Sequence, residues 1–273
     1  MKKKQEAKRL AVTGLPLDIK LEHKEVSLFI DIMFVNKIPF LLVKSEGINH
    51  IFAHRLRSRS KQNIAKSLRF IKSKYQNRGF VISIVYADNE FDHDVIKSEI
   101  PGAIFDICAA GEHVPAIERC IRTVKDRCRC MCHSIPFKRY TKIMTIHLII
   151  SCVHWLNSFP SEGGISDTMS PLKILEGKDV PDLKTKRIAF GMYALVHTGT
   201  SNGMNTRRTP AIGLSESNQT GGHFFMSLHT GKRLHGNSWD ELPFDENVVD
   251  IVELLALKQN QPTLDNNNVI FWL

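Results

Sequence analysis

The sequence has no apolar leader behind Met1 and no apolar run approaching the roughly 20 residues that a membrane-spanning helix needs. Its most apolar stretch, Ile143 to Phe159, is interrupted by His147, Ser151, His154 and Asn157 and reads as a buried helix. There is no glycine-rich phosphate loop and no nucleophile elbow, so neither nucleotide cradling of the P-loop type nor serine hydrolase chemistry is indicated. Cysteine is sparse: six thiols at irregular positions point to a reducing compartment rather than a disulfide framework. The run Cys128-Arg-Cys130-Met-Cys132-His133 has the composition of a metal site. It falls within a predicted helix, where residues two apart diverge, and no second Cys pair follows at zinc-finger spacing. Trp155, Trp239 and Trp272 are too scattered to form a stacking platform, His147 and His154 read as core residues, and no internal repeat is found.

Positive charge is what the chain has in excess. Across 273 residues, 37 Lys and Arg stand against 28 Asp and Glu, for a net charge of +9. Polyanions are natural partners for such a chain, although an anionic surface would attract it equally. The distribution says more than the total. Nine basic residues and no acid lie between Arg55 and Arg78. An acidic stretch follows from Asp88 to Glu118, and Arg119 to Lys142 is basic again, with Asp126 its only acid. Acid flanked by base suits a metal site within a phosphate-binding groove, and it equally suits solvated helix faces.

Periodicity predicts a strand over Val26 to Phe34, a tight connection Val35-Asn-Lys-Ile-Pro39, and an antiparallel partner from Phe40 to Val43. Ile64, Leu68, Ile71 and Tyr75 recur at helical spacing between Ser60 and Asn77, and Gly79 separates this helix from a strand over Phe80 to Tyr86. A short strand is expected over Ala103 to Ile107, then a helix opened by Pro115 with the stripe Ile117, Ile121, Val124, Cys128 and Met131. A second long helix runs from about Arg139 to Asn157. Beyond Phe159 short strand-like pieces at Phe190 to His197, Ala211 to Leu214, His223 to Leu228 and through Leu234 suggest a small β-barrel. Met1 to about Arg9 and the Asn-rich stretch after Gln259 read as disordered ends.

Three carboxylates draw attention. Asp31 interrupts the apolar strand Ser27-Leu-Phe-Ile-Asp31-Ile-Met-Phe34, where it is either a ligand met by a cation or a strand-edge residue facing water. Asp88 follows directly on a buried-type strand, as a presented ligand or as an Asx cap of the next turn. Glu118 stands near the start of a helix with Arg122 and Lys125 further along its face, either for phosphates or as an ordinary surface ion pair. Together the three would form an oxygen-rich site suited to two magnesium ions.

The segments Asp31-Ile-Met-Phe-Val-Asn-Lys-Ile-Pro-Phe40, Asp88-Asn-Glu-Phe91 and Glu112-His-Val-Pro-Ala-Ile-Glu-Arg-Cys-Ile-Arg-Thr-Val-Lys-Asp-Arg127 go further. With Trp155-Leu-Asn-Ser-Phe-Pro160 and Ser166-Asp-Thr-Met-Ser-Pro171, the set resembles the integrases of copia-type LTR retrotransposons. The resemblance extends roughly from Glu22 to Pro243. It implies an α/β fold: a ribonuclease-H-like core, a mixed sheet with helices on both faces, followed by a small β-barrel. Asp31, Asp88 and Glu118 match the catalytic, metal-binding triad of that family, with Mg2+ or Mn2+ as cofactor. The implied reaction trims the ends of the element's cDNA and joins its 3′-hydroxyl to target DNA. Element and target DNA are then the partners, no membrane is involved, several copies assemble on DNA, and action is in the nucleus after cytoplasmic synthesis.

Two departures bear on the third carboxylate. The interval from Asp88 to Glu118 is shorter than the family's, and the glycine pair expected after the second Asp is absent, so Glu112 is the substitute. The start at Met1 leaves no room for the zinc-binding domain that precedes the core in that family, which implies a piece of a longer polyprotein. The expected organisation is a basic segment over 1–21, a catalytic core over 22–160, a linker with a short helix over 161–187, a barrel over 188–244, and a helix with a tail over 245–273. DNA contacts are expected from Arg119, Arg122, Lys125 and Arg129, and from Lys61 and Lys66. A catalytically inactive, non-enzymatic DNA-binding remnant and an unrelated nuclease of the same fold are the alternatives.

Overall fold

A computed structural model describes residues 14–109, 114–177, 187–198, 206–217, 222–263 and 271–272. In chain order the elements are α1 (Leu17–Glu22), β1 (Glu25–Val35), β2 (Ile38–Ser45), β3 (Ile51–Arg55), α2 (Lys61–Gln76) and β4 (Val81–Ala87). A single 3-10 turn (Asn89–Phe91), α3 (Asp94–Lys97), β5 (Ile104–Ile107), α4 (Pro115–His133), α5 (Lys142–Asn157) and α6 (Pro171–Glu176) follow. The remainder is β6 (Tyr193–His197), β7 (Arg208–Glu216), β8 (His223–Ser227), β9 (Arg233–Gly236), β10 (Trp239–Glu241), α7 (Glu246–Lys258) and β11 (Phe271–Trp272). Among the described residues, 14–127, 152–177 and 271–272 form one compact unit, and 128–151 with 187–263 form the other.

The first unit is organised by β1. Asn36 and Lys37 adopt φ of 47° and 64°, the paired left-handed conformation of a two-residue hairpin turn, and this folds β2 back antiparallel on β1. β3 then pairs antiparallel with β2, while β4 and β5 join on the other side in parallel, giving the order β3-β2-β1-β4-β5. Parallel pairing of β1 with β4 requires a crossover, which the chain makes through α2. Ser60 Oγ accepts from the Asn63 N–H at the helix start, and Gly79 at φ +88° ends the excursion in a conformation that costs glycine little.

Alternation along β1 assigns its two faces. Val26, Leu28, Ile30 and Ile32 point into a core shared with Ile64, Leu68, Ile71 and Tyr75 of α2 and with Ile174 and Leu175 of α6. Met33 and Val35, with Phe40 and Leu42 of β2, are buried outside that cluster, on the opposite face. Cys120 of α4 is buried and feels the charge of Lys44, which pairs with Phe29 on this second face. A mixed sheet in this order, packed with helices, fits the expected ribonuclease-H-like α/β core.

Several details depart from expectation. β3, α1 and α3 were not anticipated, and Cys132 rather than Met131 continues the buried stripe of α4. Four residues advance a helix by little more than one turn, so Cys132 falls back beneath Cys128, whereas Met131 rotates to its flank. Cys130 is exposed while Cys128 and Cys132 are buried, so these thiols do not share one face. The outer edge of β3 is closed by a side chain: Asn157 accepts from the Ile51 N–H at 2.8 Å and donates to the Ile51 carbonyl at 2.7 Å.

The second unit contains an antiparallel sheet in the order β10-β6-β7-β8-β9, built on Ala194, Val196, Ala211, Phe225 and Trp239. β9 and β10 stand at the two ends of this strand path among the described residues, in the region where a small β-barrel is expected. α7 fastens to the start of α5, with Gln259 Oε1 accepting from the Lys142 N–H and Glu253 Oε1 accepting from the Lys138 N–H, each at 2.8 Å. His147 is buried as expected, its Nδ1 2.7 Å from Ser215 Oγ. The expected disordered ends lie largely outside the described residues.

Candidate functional site

Of the three carboxylates singled out in the sequence, Asp31 and Asp88 are presented from the second face of the first unit's sheet, and Glu118 from the first turn of α4. Phe29 of β1 and Tyr86 of β4 are register partners and stack with centroids 5.0 Å apart. Asp31 lies two residues beyond Phe29 along β1. Asp88 lies two beyond Tyr86, and its backbone is still extended at φ −78° and ψ 167°. With a side-chain period of two, both carboxylates continue the face marked by the stacked rings.

Asp31 pairs with Leu42 of β2 on one side of β1. β1 pairs with β2 from Leu28 to Val35, with β4 as far as Phe29, and with β11 at Phe34 and Val35. Between those last two pairings, from Ile30 to Met33, β1 has no strand partner on its β4 side among the described residues, and Asp31 sits there. Burial pushes its carboxyl from the ordinary 3.8 up to about 6, opposed by the Ile32 N–H, which donates to Oδ1 at 2.6 Å. The negative charges of Asp88, Glu90 and Glu118 add to the rise. All three candidate carboxylates, with one the sequence reading missed, therefore act on a single locus.

Asp88 precedes the 3-10 turn, yet its side chain makes no capping hydrogen bond, so the Asx-cap reading does not apply. Glu118 is exposed on the first turn of α4, where Pro115 starts the helix. Glu112 lies outside the described residues. Convergence stops short of a closed ligand set: among the described residues no group of three His, Cys, Asp or Glu side chains is gathered closely enough to hold a metal ion. Coulombic interaction reaches beyond ligand distance, so the two observations are compatible.

Arg119 and Arg122 are exposed on α4 next to Glu118, and Lys125 is half-buried one turn on. Arg129 is half-buried on the part of α4 that belongs to the second unit. Lys61 and Lys66 are exposed on α2, the helix that packs against the sheet face opposite Asp31, and are not brought together with Glu118.

The residue that sequence reasoning passed over is Arg59. Its Nε donates to Glu90 Oε1 at 2.8 Å, a second guanidinium nitrogen donates to Oε2, and its centre lies 5.5 Å from the Phe34 ring. Arg59 and Glu90 are 31 positions apart, so nothing local links them, and Arg59 was one of nine basic residues in its block.

No family model and no curated protein matches this sequence. Among solved structures, the chain is similar to the catalytic core domain of BIV integrase in crystal form I, at 13% identity and a TM-score of 0.41. The match covers 55% of this chain and 92% of that one.

Proposed function

We propose that the chain is an integrase-type polynucleotidyl transferase whose working site is the carboxylate group of Asp31, Asp88 and Glu118. The observation that carries this reading is the common face of Asp31 and Asp88, which follow the stacked register partners Phe29 and Tyr86 at the same two-residue step, with Asp31 half-buried. Burial and the charges of Asp88, Glu90 and Glu118 push the Asp31 carboxyl up. Like charges drawn to one partly desolvated locus are costly unless a cation relieves them. Hard carboxylate oxygens suit Mg2+ or Mn2+, and Asp31, Asp88 and Glu118 would be the residues that hold it. When bound, such ions supply activation of an attacking hydroxyl and stabilisation of the leaving oxygen in phosphodiester chemistry. The chain's part is to fix Asp31 on β1, Asp88 directly after β4 and Glu118 on the first turn of α4, and to offer Arg119, Arg122 and Lys125 beside Glu118 for the DNA backbone.

The quoted motifs assign this activity to the copia-type branch, with element and target DNA as substrates, and make the second sheet the counterpart of that family's barrel. A non-enzymatic DNA-binding remnant is the second reading, favoured by the lack, among the described residues, of three side chains at ligand separation. A magnesium- or manganese-dependent nicking and strand-transfer assay on labelled DNA, run on the chain and on Asp88→Asn, separates the two. Products from the chain that vanish in the variant support the enzyme. DNA binding by both without products supports the remnant.

A further inference from the structure

Asp88, Glu90 and Glu118 all add negative charge around Asp31 and should repel a polyanion, so a site for nucleic acid needs a cation at its rim. Arg59 occupies that position. Its loop precedes α2, yet its guanidinium reaches back over the Phe34 ring of β1, three residues past Asp31, and forks onto Glu90, two residues past Asp88. It also acts electrostatically with Asp31. Nε and one terminal nitrogen face Glu90, while 55% of the side chain remains exposed to solvent.

We propose that Arg59 is a phosphate-binding residue of this site: it seats a phosphodiester of the DNA strand next to the carboxylates, and Glu90 holds it in place when no strand is bound. The inference rests on the nucleic-acid reading above. The planar fork that grips the Glu90 carboxylate is the geometry that grips a phosphate in two-point fashion. Glu90 competes with the incoming phosphate for the same donors. Removing the Glu90 charge therefore strengthens DNA binding, while removing Arg59 weakens it. A purely structural ion pair behaves otherwise, since the loss of either partner then has the same effect.

The test is fluorescence anisotropy of the full chain with a labelled DNA duplex in EDTA across a salt series, so that the readout is independent of cleavage. Arg59→Ala is expected to weaken binding about tenfold and to reduce the slope of log affinity against log salt by about 1. Arg59→Lys should keep the slope and lose part of the affinity, and Glu90→Gln should bind more tightly than the parent chain. Circular dichroism melts confirm folding, since an exposed ion pair contributes little to stability. The inference is overturned if Arg59→Ala binds as the parent does, or if Arg59→Ala and Glu90→Gln weaken binding alike. Neither result touches the nicking assay, whereas a parent chain that binds no DNA overturns both this inference and the reading on which it rests.

Discussion

Phe29 and Tyr86 stack across the β1–β4 pairing, and the two aspartates that follow them, Asp31 and Asp88, inherit their common face. The juxtaposition follows from strand register and the two-residue side-chain period. It explains why two residues far apart in sequence bear on one ionisation.

The first prediction concerns that ionisation. Asp31's folded-state value of about 6 lies above the ordinary 3.8, so the folded chain binds this proton more tightly than the unfolded chain does. Its stabilising effect is present below the unfolded value and is lost as pH rises from about 4 to about 6. At roughly 1.4 kcal/mol per pH unit, the loss is about 3 kcal/mol. Asp31→Asn should therefore melt above the parent chain at pH 7.5, and the difference should vanish near pH 4. Equal melting temperatures throughout would count against a strained carboxylate.

Divalent cations should reverse that penalty. At pH 7.5 millimolar Mn2+ or Mg2+ is expected to raise the melting temperature of the parent chain, with a smaller rise in Asp88→Asn and none in Asp31→Asn. Differential scanning fluorimetry in the presence and absence of EDTA measures this directly. A shift of the same size in all three proteins would place the cation elsewhere.

Asn157 should matter to stability and to nothing chemical. Its amide satisfies both backbone groups of Ile51 in a buried setting, so Asn157→Ala leaves a donor and an acceptor without partners. A loss of about 2–4 kcal/mol is expected from urea unfolding. Asn157→Asp can only accept, and it should lose stability as well.

In the second unit the sign is opposite to that of Asp31. Burial, with Arg233's charge in support, pushes His147 from 6.5 down to about 4, so the imidazole is neutral in the fold. Its contribution is present above the unfolded value and is lost as pH falls from about 6.5 towards 4, by about 3 kcal/mol. His147→Gln should flatten this acid sensitivity in melts between pH 7.5 and 4.5. An unchanged pH profile would show that other groups control it.

The sequence was most readable where one period dominates. The alternation around Asp31, the helical recurrence from Ile64 to Tyr75 and the Pro115 start of α4 each appear in the structure within a residue or two. β3 was missed because Ile51-Phe-Ala-His-Arg55 is short, shows no clear alternation, and runs directly into the basic block. α1 and α3, of six and four residues, are too brief for periodicity to register. At the site, the sequence could flag Asp31 and Asp88 because each is an acid in or directly after an apolar strand. Arg59 and Glu90 carry no such contrast with their neighbours, and only the sheet brings them together.

The parallel relation of β1 and β4 has a kinetic side. Asp88 reaches Asp31's face through the β1–β4 pairing, which closes a long loop spanning β2, β3 and α2, and ordering that loop is costly before its contacts form. The clustering of negative charge thus arises at the same moment as the sheet's central pairing. Neutralising Asp31 should accordingly show itself in how fast the first unit refolds as well as in how firmly it stays folded.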